Sequence, residues 1–185
     1  RNDYNNIKNK SIKKDLMLLT LIIYSFNNQI RFNSSNEFNM PIGKRDFNNS
    51  LRKNLRQFMK KIKEQNIDFI CSDFRKYSIP YKEDTFVYCD PPYFLGTASY
   101  NENGGWTERD EIDLLAYLKS LDASNIKFAL SNVIEHKGNK NVILNKWIKE
   151  NNYNVHIIQC NYNNSNYHKQ EGNITKTIEI LVTNY

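Results

Sequence analysis

Glycine, cysteine and histidine are scarce in this 185-residue chain, and it contains no long apolar segment. The apolar run from Leu16 to Ile23 is far shorter than the roughly 20 residues that a membrane helix needs, so we expect no membrane span. The three cysteines, Cys71, Cys89 and Cys160, lie far apart without the spacing of a metal site. We therefore expect free, buried thiols in a reducing cytoplasm, and no metal.

The few glycines also do not form the glycine-rich turn that binds nucleotide-type cofactors. A nucleotide-type cofactor commonly meets a Gly-x-Gly turn between the first strand and helix of an α/β sheet, with an acidic residue ending the next strand. None of the six glycines lies in such a turn. We therefore expect this chain to enter its sheet part-way through, at the third strand.

The net charge of +6 is unevenly distributed. Residues 1–64 contain 14 Lys and Arg against 5 Asp and Glu, whereas residues 65–185 contain 12 against 15. A basic first third joined to a slightly acidic remainder is typical of a nucleic-acid-facing part attached to a catalytic part. The alternative is a solvated basic face with no partner.

Two helices separated by a polar loop are predicted in the first part of the chain, residues 1–66. The first helix covers 11–26, begins after the N-cap Ser11, and is expected to turn one stripe toward the core: Leu16, Leu19, Thr20, Ile23 and Phe26. The second helix covers about 49–65, and its predicted apolar face consists of Leu51, Leu55, Phe58, Met59 and Ile62. The residues between them, 27–45, favour an irregular or hairpin-like loop.

Strands alternate with helices in the second part, residues 67–185. The strands are predicted at 67–71, 85–89, 126–130, 154–160 and 174–183, the third of them ending at Ser131-Asn132. A helix is expected after the N-cap Thr107, with an inward face of Leu114, Leu115, Leu118 and Leu121. Another is expected at 142–150, with an inward face of Leu144, Trp147 and Ile148. This order, closed by an antiparallel hairpin, predicts an α/β sheet with right-handed crossovers.

The most informative segment is Asp90-Pro91-Pro92-Tyr93, which follows a predicted buried parallel strand, 85–89. Ligands of α/β enzymes bind at the carboxyl ends of such strands. An Asp carboxylate and a proline carbonyl could accept both hydrogens of a planar amino group, and a Tyr ring could stack on the ring that carries it. The segment therefore predicts alkylation of an amino group on a nucleobase. The alternative is an ordinary Asp-Pro-Pro turn that only reverses the chain.

With these residues in place, the chain resembles the Dam-type DNA adenine methyltransferases, whose bacteriophage and bacterial members modify GATC. The resemblance runs from about Leu16 to Tyr185. It is carried by Arg31-Phe32-Asn33, Glu37 to Gly43, Asp73-Phe74, Asp90-Pro91-Pro92-Tyr93, Tyr100, Leu130-Ser131-Asn132 and the closing hairpin. It implies a partial Rossmann-like methyltransferase sheet with an antiparallel final hairpin, plus a small helical DNA-recognition part.

The same resemblance implies a role for each matching position. The catalytic residues would be Asp90, Pro91, Pro92 and Tyr93. S-adenosyl-L-methionine would contact Asp73, Phe74, Asp90 and Tyr100. Double-stranded DNA would contact Asn27, Gln29, Arg31, Asn33, Pro41 and Arg45, with Arg31 reading guanine and with Asn33 and Asn39 bracing the hairpin. Further candidates for the phosphate backbone are Lys44, Arg52, Lys53 and Arg56.

This sequence departs from the family pattern at its amino-terminal end. The family has an aromatic residue, a lysine, a glycine turn and an acidic residue there for the methyl donor, and this sequence lacks them. We therefore expect either that this chain is the carboxyl-terminal portion of a longer protein, or that the remainder of the protein is not represented in this sequence. A location in the cytoplasm of a bacterial or phage-infected cell and a role in restriction-modification follow from the resemblance.

Two classes of alternative function remain open. The same motif serves cytosine-N4, RNA-adenine and glutamine-amide methylation, although Asp at position 90 and the Arg31 hairpin favour DNA adenine. The other alternative is a DNA-binding remnant that has lost catalysis.

Overall fold

A computed structural model describes residues 1–80, 82–95, 105–158 and 177–185. The chain divides into two compact units, Arg1–Cys71 and Ser72–Tyr185. The predicted boundary after residue 66 falls inside the first unit, and the assignment of recognition and catalysis to two parts stays a prediction. None of the helices in the described ranges is long and apolar enough to cross a membrane.

The first unit contains three helices: α1 (Asn2–Asn6), α2 (Ile12–Tyr24) and α3 (Asn49–Glu64). Ser11 caps α2, since its side chain accepts a hydrogen bond from the Lys14 N–H at 3.2 Å. The Asn48 side chain caps α3 in the same way. Both longer helices were predicted from sequence, and both are confirmed.

The small core of this unit is built from Tyr4, Phe38 and Met40. Packed against it are Met17, Leu18, Leu21, Ile22, Phe26 and Phe32. The predicted inward stripe of α2 is therefore wrong at Leu16, which is 58% exposed, and at Leu19, which is 39% exposed, whereas Phe26 packs as predicted. Apolar residues surround most of this helix, so periodicity alone permits more than one stripe, and Phe38 and Met40 decide which one packs.

The predicted apolar face of helix α3 is not buried. It contains no buried residue, and Phe58 and Met59 are each more than half exposed.

The second unit is built on a five-stranded sheet in the described ranges, with the order β1-β2-β5-β4 and β3 paired to β2. The strands are β1 (Phe86–Cys89), β2 (Lys127–His136), β3 (Asn139–Lys140), β4 (Asn154–Ile158) and β5 (Thr177–Thr183). Strand β1 runs parallel to β2, and the other pairings are antiparallel. This confirms an α/β fold with an antiparallel final pair.

Helices α4 (Glu108–Ala123) and α5 (Val142–Asn151) form the core of the second unit together with this sheet. Thr107 caps α4 in a capping box with Asp110. The predicted inward residues of both helices are confirmed as buried: Leu114, Leu115, Leu118, Leu121, Leu144, Trp147 and Ile148.

Three strand predictions need correction. Residues 67–71 form no strand, and Phe69, Ile70 and Cys71 are exposed, so the expectation of a buried thiol fails at Cys71. Strand β1 is parallel as predicted but not buried, because Phe86 and Tyr88 are each more than half exposed on a strand that pairs only with β2 among the described residues. Strand β2 does not end at Ser131-Asn132, since antiparallel pairing with β5 extends it to His136.

Candidate active site

The Asp-Pro-Pro-Tyr segment follows directly from the end of β1. The parallel register pairs Cys89 with Leu130, so Asp90 leaves the sheet at the level of Ser131, where β2 continues. Asp90 is exposed and Pro91 is half-buried. Within the described ranges, no group donates a hydrogen bond to the Asp90 carboxylate or to the Pro91 carbonyl oxygen. Both oxygens are therefore available as acceptors for a substrate.

Tyr93, by contrast, is held by the sheet. Its hydroxyl donates a hydrogen bond to Glu179 Oε1 at 2.8 Å and lies 3.3 Å from Ser131 Oγ. Burial raises the pKa of Tyr93 to about 12, and the Glu179 and Asp90 carboxylates act in the same direction. The phenol is therefore neutral at physiological pH and keeps its proton for this hydrogen bond. Sequence reasoning missed Glu179, whose only signal is an acidic residue inside an apolar strand.

Asp73 lies at the start of a short 3₁₀ turn, Phe74–Lys76. Its carboxylate accepts a hydrogen bond from the Arg75 backbone N–H at 2.9 Å. It also forms an ion pair with the Arg75 guanidinium at 3.1 Å. These contacts hold the pKa of Asp73 below its usual value, the backbone hydrogen bond acting most strongly. Arg75 also pairs with Asp110 and Asp113 of α4, which fixes the turn to the helix.

Phe74 is half-buried and packs among aromatic rings. Its ring centroid lies 6.1 Å from that of Trp106 and 5.9 Å from that of Tyr117, with the Arg75 guanidinium 4.6 Å away. Part of this ring therefore serves the core. Its predicted role in cofactor binding stays a prediction, and Tyr100 lies outside the described residues.

A buried polar network lies behind these residues. The Glu111 carboxylate, fully buried on α4, accepts hydrogen bonds from Trp106 Nε1 at 2.8 Å, Asn141 Nδ2 at 2.8 Å and Asn132 Nδ2 at 3.2 Å. Three donors satisfy most of the needs of a buried carboxylate. The network joins α4 to β2 and to the start of α5, and it fixes Trp106 against Phe74.

In the first unit, the loop between α2 and α3 is hairpin-like, as predicted. Isolated bridges pair Ser25 with Ile42 and Phe32 with Phe38. The Asn33 side chain accepts hydrogen bonds from the backbone N–H groups of Ser35 and Glu37, which closes the turn. Asn33 thus braces the hairpin.

Arg31 is partly engaged inside this loop. Its Nε donates to Asn39 Oδ1 at 2.7 Å, and its Nη2 donates to the Asn39 carbonyl oxygen at 3.1 Å. These bonds use one side of the guanidinium and leave the end formed by Nη1 and the second Nη2 hydrogen. Arg31 therefore keeps a two-donor fork for another acceptor pair, while Asn39 fixes its direction.

The other DNA-contact candidates have varied surroundings. Asn27 is exposed and adopts a left-handed backbone conformation with φ of 53°. The Pro41 carbonyl accepts a hydrogen bond from the Phe26 N–H at 2.9 Å, and Arg45 Nη1 donates to Asn28 Oδ1 at 3.1 Å. Gln29 is half-buried. These observations within the protein do not test binding to DNA, so the assignments of these residues stay predictions.

No cluster of three or more His, Cys, Asp or Glu side chains in the described ranges could hold a metal ion.

Comparison with known proteins identifies the relatives of the chain. A family model described as D12 class N6 adenine-specific DNA methyltransferase matches residues 1–166. The type II methyltransferase M.FokI of Planomicrobium okeanokoites is 42% identical over 98% of this chain. Modification methylase StsI of Streptococcus sanguinis is 38% identical over 92%, and modification methylase LlaI of Lactococcus lactis is 37% identical over 100%. The chain spans only 28%, 27% and 28% of the lengths of these three curated relatives, respectively.

Proposed function

Since the chain belongs to the D12 class N6 adenine-specific DNA methyltransferase family, we propose that its protein transfers a methyl group to the N6 nitrogen of adenine in duplex DNA. One observation from the described residues supports this most directly. The Asp90 carboxylate and the Pro91 carbonyl are free acceptors beside Tyr93, whose hydroxyl is held by a buried acid.

The chemistry of an aromatic amino group explains why two acceptors are needed. The lone pair of N6 is conjugated into the purine ring, which makes the nitrogen a poor nucleophile. Hydrogen bonds from its two hydrogens to Asp90 and Pro91 favour a tetrahedral nitrogen, whose lone pair is free to attack. The positive charge that develops on this nitrogen is stabilised by the nearby carboxylate.

The target adenine has to leave the helix before it can reach these acceptors, because N6 is paired inside the duplex. Tyr93 supplies an aromatic face on which the extruded ring can stack. A neutral phenol suits this role, since its hydroxyl remains a hydrogen-bond donor to Glu179.

The methyl donor proposed from the family is S-adenosyl-L-methionine, which supplies a methyl group on a positively charged sulfur. The described residues fit it in chemical type. Among the described residues, Arg75 alone donates to Asp73 Oδ2, which keeps a lone pair for an N–H of the donor, and none donates to the Asp90 carboxylate. Phe74 and Tyr100 complete the proposed contact set.

Recognition of duplex DNA is proposed for the first unit. The free end of the Arg31 guanidinium has two parallel donors, which match the O6 and N7 acceptors of guanine. Asn27, Gln29, Asn33, Pro41 and Arg45 stay predicted neighbours of the DNA, and Lys44, Arg52, Lys53 and Arg56 stay predicted phosphate contacts. GATC remains a prediction for the recognition sequence.

Methylation of a randomised duplex library by the complete protein tests the proposal. With labelled S-adenosyl-L-methionine, we expect N6-methyladenine as the product, and sequencing of modified positions tests GATC. N4-methylcytosine as the product would contradict the assignment to adenine. DNA binding without any transfer would instead favour a non-catalytic role.

Asp90→Ala tests the carboxylate directly. Loss of one preorganised transition-state contact lowers the methylation rate by about a hundredfold or more. Asp84→Ala is the matched control, since Asp84 is also an exposed aspartate beside β1 but precedes the strand. Equal rates for the two variants would contradict the proposed role of Asp90.

A further inference from the structure

The Tyr93 hydroxyl joins the Asp-Pro-Pro-Tyr segment to two neighbouring strands of the sheet. Glu179 on β5 accepts its hydrogen bond at 2.8 Å, and Ser131 on β2 lies 3.3 Å away. The antiparallel register pairs Val133 with Glu179. Because residues two apart on a strand share a face, Ser131 and Glu179 are diagonal neighbours on the same face of the sheet.

Glu179 is an unusual residue for its place in the sheet. It is only 9% exposed, while Ile180 and Val182 on the same strand are buried apolar residues. A carboxylate that is removed from water is costly unless hydrogen bonds compensate for its desolvation. The hydrogen bond from the Tyr93 hydroxyl is one such compensation, since it ends on this carboxylate.

We propose that Glu179 is a positioning residue that holds the Tyr93 ring at the target-base site. The hydroxyl oxygen of a tyrosine lies on the long axis of its ring. A hydrogen bond that holds the Tyr93 oxygen therefore fixes the direction in which the ring projects from the Asp-Pro-Pro-Tyr segment. A charged acceptor is well suited to this, because hydrogen bonds to carboxylates are shorter and stronger than neutral ones. The inference rests on the proposed function, since Tyr93 is assigned there to the extruded adenine.

The functional test measures single-turnover methylation by the complete protein, together with its affinity for S-adenosyl-L-methionine. Glu179→Leu removes the acceptor, and we expect the rate to fall roughly tenfold to a hundredfold, since small misplacements of reacting groups cost this much. The affinity for the donor stays within about twofold. Glu179→Gln keeps an acceptor oxygen and recovers most of the rate.

Two comparisons separate positioning from a general loss of structure. Thr183→Val is the control, because Thr183 is buried on the same strand but bonds to the Tyr185 carbonyl instead. It should leave the rate unchanged. Tyr93→Phe combined with Glu179→Leu should be no slower than the slower single variant, since both changes break the same Tyr93–Glu179 hydrogen bond. Independent, additive losses, or a normal rate in Glu179→Leu, would overturn the proposal.

A fluorine titration tests the contact without any catalysis. In protein labelled with 3-fluorotyrosine, the Tyr93 signal is identified by its loss in Tyr93→Phe. We expect Glu179→Gln to lower the pKa of this phenol relative to the labelled wild type, because removal of a negative charge favours the phenolate. If the wild type methylates no adenine, the proposed function fails, and this titration alone decides the contact. An unchanged phenol pKa then overturns it.

Discussion

Replacement of Gly43 by alanine tests how the loop between α2 and α3 is built. A Cβ atom at this position would lie 2.4 Å from the Ser25 carbonyl oxygen and 2.8 Å from its carbon. Both neighbours are backbone atoms, so no side chain can rotate away. Ordinary van der Waals contact begins near 3.4 Å, and the two segments must therefore separate by about 1 Å.

The cost follows from the hydrogen bonds at this junction. The Gly43 N–H donates to the Tyr24 carbonyl at 2.8 Å, and the Phe26 N–H donates to the Pro41 carbonyl at 2.9 Å. A separation of about 1 Å takes both beyond hydrogen-bond range. With a net contribution of about 0.5–1.5 kcal/mol for each bond, Gly43→Ala should destabilise the loop by about 1–3 kcal/mol.

Hydrogen–deuterium exchange in the complete protein measures this locally. We expect protection of the Phe26 and Gly43 amides to fall roughly 5- to 150-fold, the equivalent of that free energy. Gly138→Ala is the matched control. Gly138 has a φ of +80°, and apart from its chain neighbours no described residue has an atom within 4 Å of the added Cβ, so its strain of about 1–2 kcal/mol stays in the turn between β2 and β3. Unchanged protection at both amides in Gly43→Ala would refute the close-approach argument.

Two further predictions concern charge. Arg31→Ala should relax the preference for guanine by about 1–3 kcal/mol in binding assays on matched duplexes, whereas Lys53→Ala should only weaken the salt dependence of binding. Equal losses on every sequence for both variants would contradict this division of roles. The second unit should lose stability in acid, because hydrogen bonds from Thr107, and then Arg75, lower the pKa of Asp110 from 3.8 to about 2. This contribution is complete above pH 3.8 and is lost as the pH falls through about 2. Unfolding midpoints between pH 5 and 2 measure it, and Thr107→Val should flatten the fall; parallel curves would show that this cap is not responsible.

Features encoded by neighbouring residues were the ones that sequence predicted well. Ser11 and Thr107 cap their helices as expected, because capping involves groups only three residues apart. The inward leucines of α4 were also predicted, since polar residues occupy most of its other faces and leave one stripe. Local chemistry was sufficient in these cases.

Features that depend on distant partners were predicted poorly. The packed stripe of α2 is selected by Phe38 and Met40, which come from the loop after it, and sequence periodicity does not contain that choice. The exposure of β1 similarly depends on which strands lie beside it. Tyr93 and Glu179 are separated by 86 positions, so no spacing rule connects them.

The proposed acceptors of the candidate site, Asp90 and Pro91, were named from sequence and stay predictions, whereas the residues that support the site were not named. Asp90 and Pro91 were named because the Asp-Pro-Pro-Tyr motif follows a predicted strand and matches the family pattern. Glu111 and Glu179 were not, since a buried acid is recognisable only when its donors are seen around it.

A site that modifies a nucleobase places two requirements on a protein, and different residues of the Asp-Pro-Pro-Tyr segment meet them. Acceptors for the substrate have to remain unpaired until the substrate arrives, and Asp90 and Pro91 meet this condition among the described residues. A stacking surface instead has to be fixed in advance, because an ordered ring costs less conformational entropy on binding than a mobile one. In the proposed site, Tyr93 meets this second requirement through its hydrogen bond to Glu179, three positions from a carboxylate to which no described group donates. The segment thus offers substrate acceptors at Asp90 and Pro91, and its Tyr93 ring is held by a hydrogen bond to Glu179 of the sheet.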